Sequence, residues 1–167
     1  DVFIIAAGFM LRVVGGAYAI SVPVSSWLVL CSLFISLFLG FAKRRGELVQ
    51  WQATGGMGKR KTLRLYRVEY LDQLLTIAAA GTVISYALYT VAPRTTQAFG
   101  TDRLIYTTVF VIYGVFRYMY LVHTTTGVEN PTNTVTSDPP IIVNALFWIA
   151  ACIAIIYTGG TIPGLSR

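Results

Sequence analysis

Arg12 interrupts an otherwise apolar run from Val2 to Ile20. Placing a guanidinium at the centre of a bilayer-spanning helix costs at least ~2.5 kcal/mol on the mildest insertion scale. Such a side chain normally faces a helix bundle or a polar cavity. Helical spacing puts Asp1, Ile5, Gly8, Arg12, Gly15 and Ala19 on one face, so the guanidinium stands beside small residues. The chemistry this offers is recognition of an anion such as phosphate or diphosphate. The alternative is an ion pair that pins two helices. Arg117 is a second cation inside an apolar run, and Tyr106, Tyr113, Arg117 and Tyr120 recur on one helical face. That stripe offers hydroxyl donors along an aromatic wall, although Arg117 lies close enough to the end of its run to snorkel to the interface. The run Lys43-Arg44-Arg45-Gly46-Glu47 sets three cations beside one carboxylate. A Mg²⁺-bound diphosphate needs such neighbours, with oxygen ligands for the metal and Arg or Lys for the phosphates. Glu47 is thus the candidate metal ligand and Lys43, Arg44 and Arg45 are candidate phosphate groups, against the simpler reading that the charges only set topology. Asp72 opens an apolar run, where a carboxylate complements the helix dipole; at the same mouth as Glu47 it is also a candidate metal or substrate ligand and the candidate catalytic group. Asp138, before Pro139 and Pro140, reads as a helix cap.

These residues need scaffolding that crosses a membrane. A transmembrane helix takes ~20 mostly apolar residues, and five segments provide them: Val2–Ile20, about Ser26–Ala42, about Leu71–Val91, about Leu104–Val122 and about Ile141–Tyr157. Lys43–Glu47 then ends the second segment. Pro23 falls in the first connection, Pro93 follows the third segment, and Pro139 and Pro140 start the fifth. Tyr18, Trp27, Tyr89, Tyr120 and Tyr157 mark ends suited to the headgroup boundary. The connection between the second and third segments carries Lys43, Arg44, Arg45, Lys59, Arg60, Lys61, Arg64 and Arg67 against Glu47 and Glu69. The opposite side has Arg94, Arg103 and Arg167. This asymmetry predicts a cytoplasmic mouth, a cytoplasmic Asp1 and an external C-terminus.

Composition agrees with an all-α membrane protein. Of 167 residues, 55% are hydrophobic and 12% charged, against about 25% charged in soluble domains. Lipid solvates the apolar exterior that such a chain must have. Cys31 and Cys152 lie inside apolar runs and read as packing residues. His123, the one histidine, ends an apolar run and reads as interfacial. The Gly55–Gly58 stretch lacks phosphate-loop spacing and reads as a turn. No Gly-x-Ser-x-Gly, HExxH or CxxC pattern stands in the chain. Basic charge at membrane exits gives no reason to expect nucleic acid. Beginning at Asp1 in an apolar run without a basic leader, the chain reads as part of a longer protein.

Taken in order, the residues resemble one family. The stretch Asp1-Val2-Phe3-Ile4-Ile5-Ala6-Ala7-Gly8-Phe9-Met10-Leu11-Arg12-Val13-Val14-Gly15-Gly16 is similar to the middle of the UbiA prenyltransferase superfamily, and most to its decaprenyl-phosphate phosphoribosyltransferase branch. Ser26-Trp27-Leu28, Phe38-Leu39, Lys43 through Leu48, Tyr70-Leu71-Asp72-Gln73, Phe116 through Leu121 and Asp138-Pro139-Pro140 continue the likeness over nearly the whole chain. The resemblance implies a bundle of about nine helices around a cavity open to the cytoplasmic leaflet of the plasma (inner) membrane. Residues 1–167 would be the C-terminal part of this single domain, partnered by its N-terminal half. It further implies Mg²⁺-dependent transfer of a phosphoribosyl group from phosphoribosyl diphosphate to a polyprenyl phosphate, feeding cell-wall arabinan precursors. In that reading Arg12, Lys43, Arg44, Arg45, Arg117 and Tyr118 bind substrate, Glu47 helps hold the metal and Asp72 orients the ribose or the metal. The family's first aspartate-rich motif, Asn-Asp-x-x-Asp, is absent from this chain, so the chain alone is expected to be inactive. Two other readings stand beside it. A UbiA-type enzyme could join a prenyl diphosphate to an aromatic acceptor at the same mouth. A transporter or channel segment could line an anion path with Arg12 and Arg117, but the polar cluster lies toward one side rather than along a through-path.

Overall fold

The computed structural model describes residues 1–19, 24–53, 66–124 and 135–158. Gly55–Gly58, read as a turn, the cations Lys59, Arg60, Lys61 and Arg64, Pro23 of the first connection, and Arg167 lie outside the described residues. The elements are α1 (Val2–Ala19), α2 (Ser26–Ala53), α3 (Val68–Val91), a short α4 (Pro93–Phe99), a 3₁₀ segment (Arg103–Thr107), α5 (Thr108–Thr124) and α6 (Pro139–Thr158). The described residues contain helices and no strand. Five stretches are long and apolar enough to cross a bilayer: α1, α2, α3, Arg103–Thr124 and α6. The protein is a multi-pass membrane protein.

Local chemistry sets the helix ends. Ala92, before Pro93, is extended at ψ 137°, the conformation a following proline enforces. Pro93 then starts α4, and Gly100 ends it at φ 65°, a left-handed value that glycine adopts without a Cβ clash. The structure corrects one boundary. Helix α2 does not stop near Ala42 but runs to Ala53. Lys43–Glu47 are therefore turns of a continuing helix, because Lys, Arg, Glu and Gln are good helix formers wherever water or headgroups take their charges. Helix α3 likewise starts three residues before Leu71, at Val68.

The packing is uneven. Helix α2 lies along α3 over most of its length and along α1 on another side. The shared core holds Phe38, Leu48, Leu71 and Leu75, all essentially inaccessible. Two glycines permit close approach. A Cβ on Gly81 would stand 2.4 Å from the ring of Phe34, and one on Gly40 would stand 2.6 Å from Val2. In lipid the hydrophobic effect does not drive helices together, so such contacts and interhelical hydrogen bonds carry association. The exterior is apolar: Ile4, Leu11, Tyr18, Leu146 and Phe147 are exposed, and α6 buries only Ile141.

Helix α1 meets the rest of the described bundle through one narrow face. Val2 and Ala6 are its buried residues, because these meet α2 near Gly40. The face with Ile5, Gly8, Arg12, Gly15 and Ala19 is exposed, and nothing stands within 4 Å of a Cβ built on Gly8, Gly15 or Gly16.

Candidate functional site

Antiparallel connection brings the ends of α2 and α5 together with the starts of α1, α3 and α6. At this common mouth Arg45 joins three helices. Its Nε donates to Asp72 Oδ1 at 2.5 Å and its Nη1 donates to the backbone oxygen of Val122 at 2.7 Å. His123 Nε2 stands 3.2 Å from the same Asp72 oxygen. Arg45 and Asp72, both singled out in the sequence, are thus brought into contact. Nothing in the spacing marked His123 as their neighbour; the available signal was that Asp72 starts one helix and His123 ends another that runs the opposite way.

Arg44 points elsewhere. It is buried at 6% exposure, where a guanidinium must be paired to stand. Its partners are Asp1 and Glu47, the latter at 2.6 Å. The two carboxylates flank one guanidinium, which ties the start of α1 to α2. Lys43 is exposed. Arg12 lies apart on α1, with no ion-pair or hydrogen-bond partner among the described residues.

Arg117 makes a two-pronged pair with Asp138, Nε to Oδ2 at 3.1 Å and Nη2 to Oδ1 at 2.9 Å. Its guanidinium carbon also lies 5.3 Å from the centre of the Tyr120 ring, close enough for a cation–π contact. Asp138 caps α6 as expected, accepting from the Ile141 backbone N–H at 3.2 Å. The Arg117 hydrogen bonds, helped by that N–H, hold the Asp138 carboxyl below its usual value against the opposing effect of desolvation.

Beneath the mouth lies an apolar cavity of about 440 Å³, walled by α2, α3, α5 and α6. Phe38 and Tyr118 reach it from two sides, their rings 5.3 Å apart. Tyr118 sits one helical turn from Val122 and Phe38 two turns from Arg45, so this part of the cavity wall lies one to two turns from the ionic cluster. The buried Tyr118 hydroxyl has no hydrogen-bond partner among the described residues. Deeper, Trp148 Nε1 donates to Tyr86 Oη at 2.9 Å, and Tyr86 Oη meets Thr107 Oγ1 at 2.7 Å. A second cleft of about 450 Å³ adjoins Asp72, Gln73, Thr76 and Ile77.

For a divalent cation the donor set is small. Among the described residues no three His, Cys, Asp or Glu side chains gather. Magnesium bound with phosphates needs only one or two carboxylates and keeps several waters. Glu47, with Asp1 across the same guanidinium, fits that smaller demand.

A bundle of five membrane-length helices with a charged end and an apolar cavity defines the class: a multi-pass membrane protein. Comparison with known proteins narrows it. The chain is 33% identical over 159 residues to the decaprenyl-phosphate phosphoribosyltransferase of Corynebacterium glutamicum, covering 94% of this chain and 47% of the relative. It is 35% identical over 103 residues to the enzyme of that name from Mycolicibacterium smegmatis, covering 62% of this chain and 30% of the relative. It is 32% identical over 89 residues to that of Mycobacterium tuberculosis, covering 53% and 29%. No protein-family profile matches the chain. Over the matched residues the chain is similar to these decaprenyl-phosphate phosphoribosyltransferases, and it spans less than half the length of the corynebacterial relative.

Proposed function

We propose that this chain is the C-terminal part of a UbiA-type membrane transferase that moves a phosphoribosyl group from phosphoribosyl diphosphate to a polyprenyl phosphate. The observation that carries the reading is the Arg45–Asp72–His123 cluster one to two helical turns from the wall of an apolar cavity. A lipid phosphate has the same build, an anionic head on a hydrocarbon chain. The name of the relatives supplies the acceptor and the group transferred.

In this mechanism the isoprenoid chain enters the cavity past Phe38 and Tyr118. Its phosphate meets Arg45 and Lys43, with Arg12 as a further phosphate ligand from α1. Arg44 holds Glu47 in place, and Arg117 braces α5 against α6 through Asp138, keeping Tyr118 at the cavity wall. Mg²⁺, near Glu47, would supply charge compensation to the diphosphate. Asp72 orients the ribose by accepting from its hydroxyls. The bond from ribose C1 to the diphosphate breaks with its electron pair leaving on the diphosphate, and an oxygen of the lipid phosphate bonds to C1. The acceptor is already ionised, so positioning and charge stabilisation carry the rate. The positive-inside asymmetry supports a cytoplasmic mouth in the plasma membrane, and the product would enter cell-wall arabinan synthesis. The chain is one half of the working enzyme in this reading and is expected to be inactive alone.

The test uses the full-length protein in membranes with labelled phosphoribosyl diphosphate, decaprenyl phosphate and Mg²⁺. Label in a lipid-extractable, Mg²⁺-dependent product is expected. None from a well-inserted protein would overturn the reading. Arg12→Leu should insert normally and lose transfer; full activity in that variant would remove Arg12 from the phosphate site.

A further inference from the structure

The outer side of the α5–α6 pair carries a cation that its carboxylate partner does not fully use. Asp138 accepts from Nε and Nη2 of Arg117, and its Oδ2 also accepts from the Ile141 N–H. The Asp138 side chain is 10% exposed and the Arg117 side chain 30%, so the pair turns its cation outward. Nη1 of Arg117 has no partner among the described residues. Tyr113 and Tyr120 stand about one turn before and after Arg117 on one face of α5, and the Tyr120 ring lies 5.3 Å from the guanidinium carbon. Both rings are exposed, and neither hydroxyl is paired among the described residues. The patch therefore offers N–H and O–H donors while its carboxylate is turned inward and occupied.

Next to this patch a cleft of about 530 Å³ lies between the two helices, walled by Tyr113 from α5 and by Pro139, Pro140, Val143 and Phe147 from α6. Val143 and Phe147 are exposed, so the cleft faces away from the bundle. Asn144 lines both this cleft and the inner cavity and stands in the wall between them. Its Nδ2 donates to the backbone oxygen of Phe110 at 2.9 Å and stands 3.3 Å from a Cβ built on Gly114. A hydrocarbon chain in the cleft thus stays on the lipid side of the seam. Arg117 lies about two turns before the end of α5, within reach of the headgroups for a long cationic side chain. Donors at that depth suit a phosphate, and the apolar cleft beside them suits an acyl chain; a free phosphate would leave the cleft unused. The cation-rich mouth is the predicted cytoplasmic side, the leaflet that holds anionic phospholipid.

We infer that the outer α5–α6 groove binds an anionic phospholipid of the surrounding bilayer, with its phosphate on Arg117 Nη1 and the Tyr113 and Tyr120 hydroxyls and one acyl chain along Val143 and Phe147. The Asp138 pair then has a second use, since it aims the guanidinium at the headgroup. The site is separate from the proposed transfer chemistry and does not depend on it.

The experiment places the full-length protein in phosphatidylcholine nanodiscs with a trace of phosphatidylglycerol that carries a photoreactive acyl chain. Crosslinked positions are read by peptide mass spectrometry. Label is expected on the α6 peptide that contains Val143 and Phe147, and unlabelled phosphatidylglycerol should displace it where added phosphatidylcholine does not. The double variant Tyr113→Phe with Tyr120→Phe keeps both rings and the Arg117–Asp138 pair. Hydrogen bonds to a charged group are lost in it, so labelling should fall about tenfold or more. Val143→Trp fills the cleft and should remove most of the label while leaving the donors in place. Wild-type labelling in either variant overturns the inference, and so does equal competition by phosphatidylcholine. No label on α6 in the wild type also overturns it and assigns the groove to the rest of the protein. Displacement by decaprenyl phosphate but not by phosphatidylglycerol would give the groove to the proposed acceptor, and displacement by inorganic phosphate alone would make it a simple anion site; either result overturns the phospholipid assignment.

Discussion

At one end of the bundle the polar groups are charged and meet in pairs: Arg44 with Asp1 and Glu47, Arg45 with Asp72, Arg117 with Asp138. Toward the other end the polar side chains that link helices are neutral. Trp148, Tyr86 and Thr107 form a chain of hydrogen bonds between α6, α3 and the 3₁₀ segment. Arg94 there is exposed and, among the described residues, donates to the backbone oxygen of Val24. The contrast shows where each kind of polar contact is tolerable. Neutral bridges satisfy their members without stripping an ion of water. Ion pairs carry a large desolvation cost, so they gather where water, headgroups or an anionic substrate can share the charge. The charged end is therefore where the proposed chemistry on anions falls, and the neutral end holds the helices in register.

Breaking the charged end should have the largest effect. Arg45→Met leaves Asp72 without its guanidinium and removes a phosphate ligand; transfer by the full-length enzyme should fall about a hundredfold, with insertion into membranes unchanged. A variant within a few-fold of wild type would show that the cluster is only a helix clamp. Gly81→Ala tests packing between the two ends: the new methyl must displace the Phe34 ring, which should cost about 1–3 kcal/mol in detergent unfolding. Little loss would mean that α2 and α3 have room to separate. Trp148→Phe removes one neutral bridge and should cost about 1 kcal/mol, leaving transfer near wild type. A large loss of transfer in that variant would erase the division between the ends.

The smallest effect is one of pH. The Asp138 carboxyl is held below its usual value by Arg117, so the folded state favours the ionised form. Its stabilisation is fully present above the ordinary carboxylate pKa of about 3.9 and is lost as pH falls through the lowered folded value. Wild type should melt above Asp138→Asn at neutral pH, and the gap should close in strong acid. A gap independent of pH would assign the contribution to cap geometry instead of charge.

The spans, the mouth and one cap were legible from residue order. Apolar runs bounded by Pro93, Pro139 and the cationic stretch locate the crossings, since a helix is the local answer to lipid and needs no distant partner. Asp138 could be read as a cap because a cap acts within three residues. The extent of α2 beyond Ala42 was not legible, because the hydropathy drop at Lys43 marks the end of the lipid and not the end of the helix.

Sequence by itself thus determined that the chain crosses a membrane as helices, which end is rich in cations, and which carboxylates stand near them. Tertiary structure alone decided the pairing: that Arg45 meets Asp72 while its neighbour Arg44 turns to Asp1 and Glu47, that Arg117 locks onto Asp138, that His123 joins Asp72, and that α1 buries Val2 and Ala6 and leaves Arg12 bare. The physical reason is that helix formation in lipid is decided by local composition, whereas the rotation of each helix is set by contacts across the bundle. A rotation of about 100° per residue is what sends two adjacent arginines to different partners.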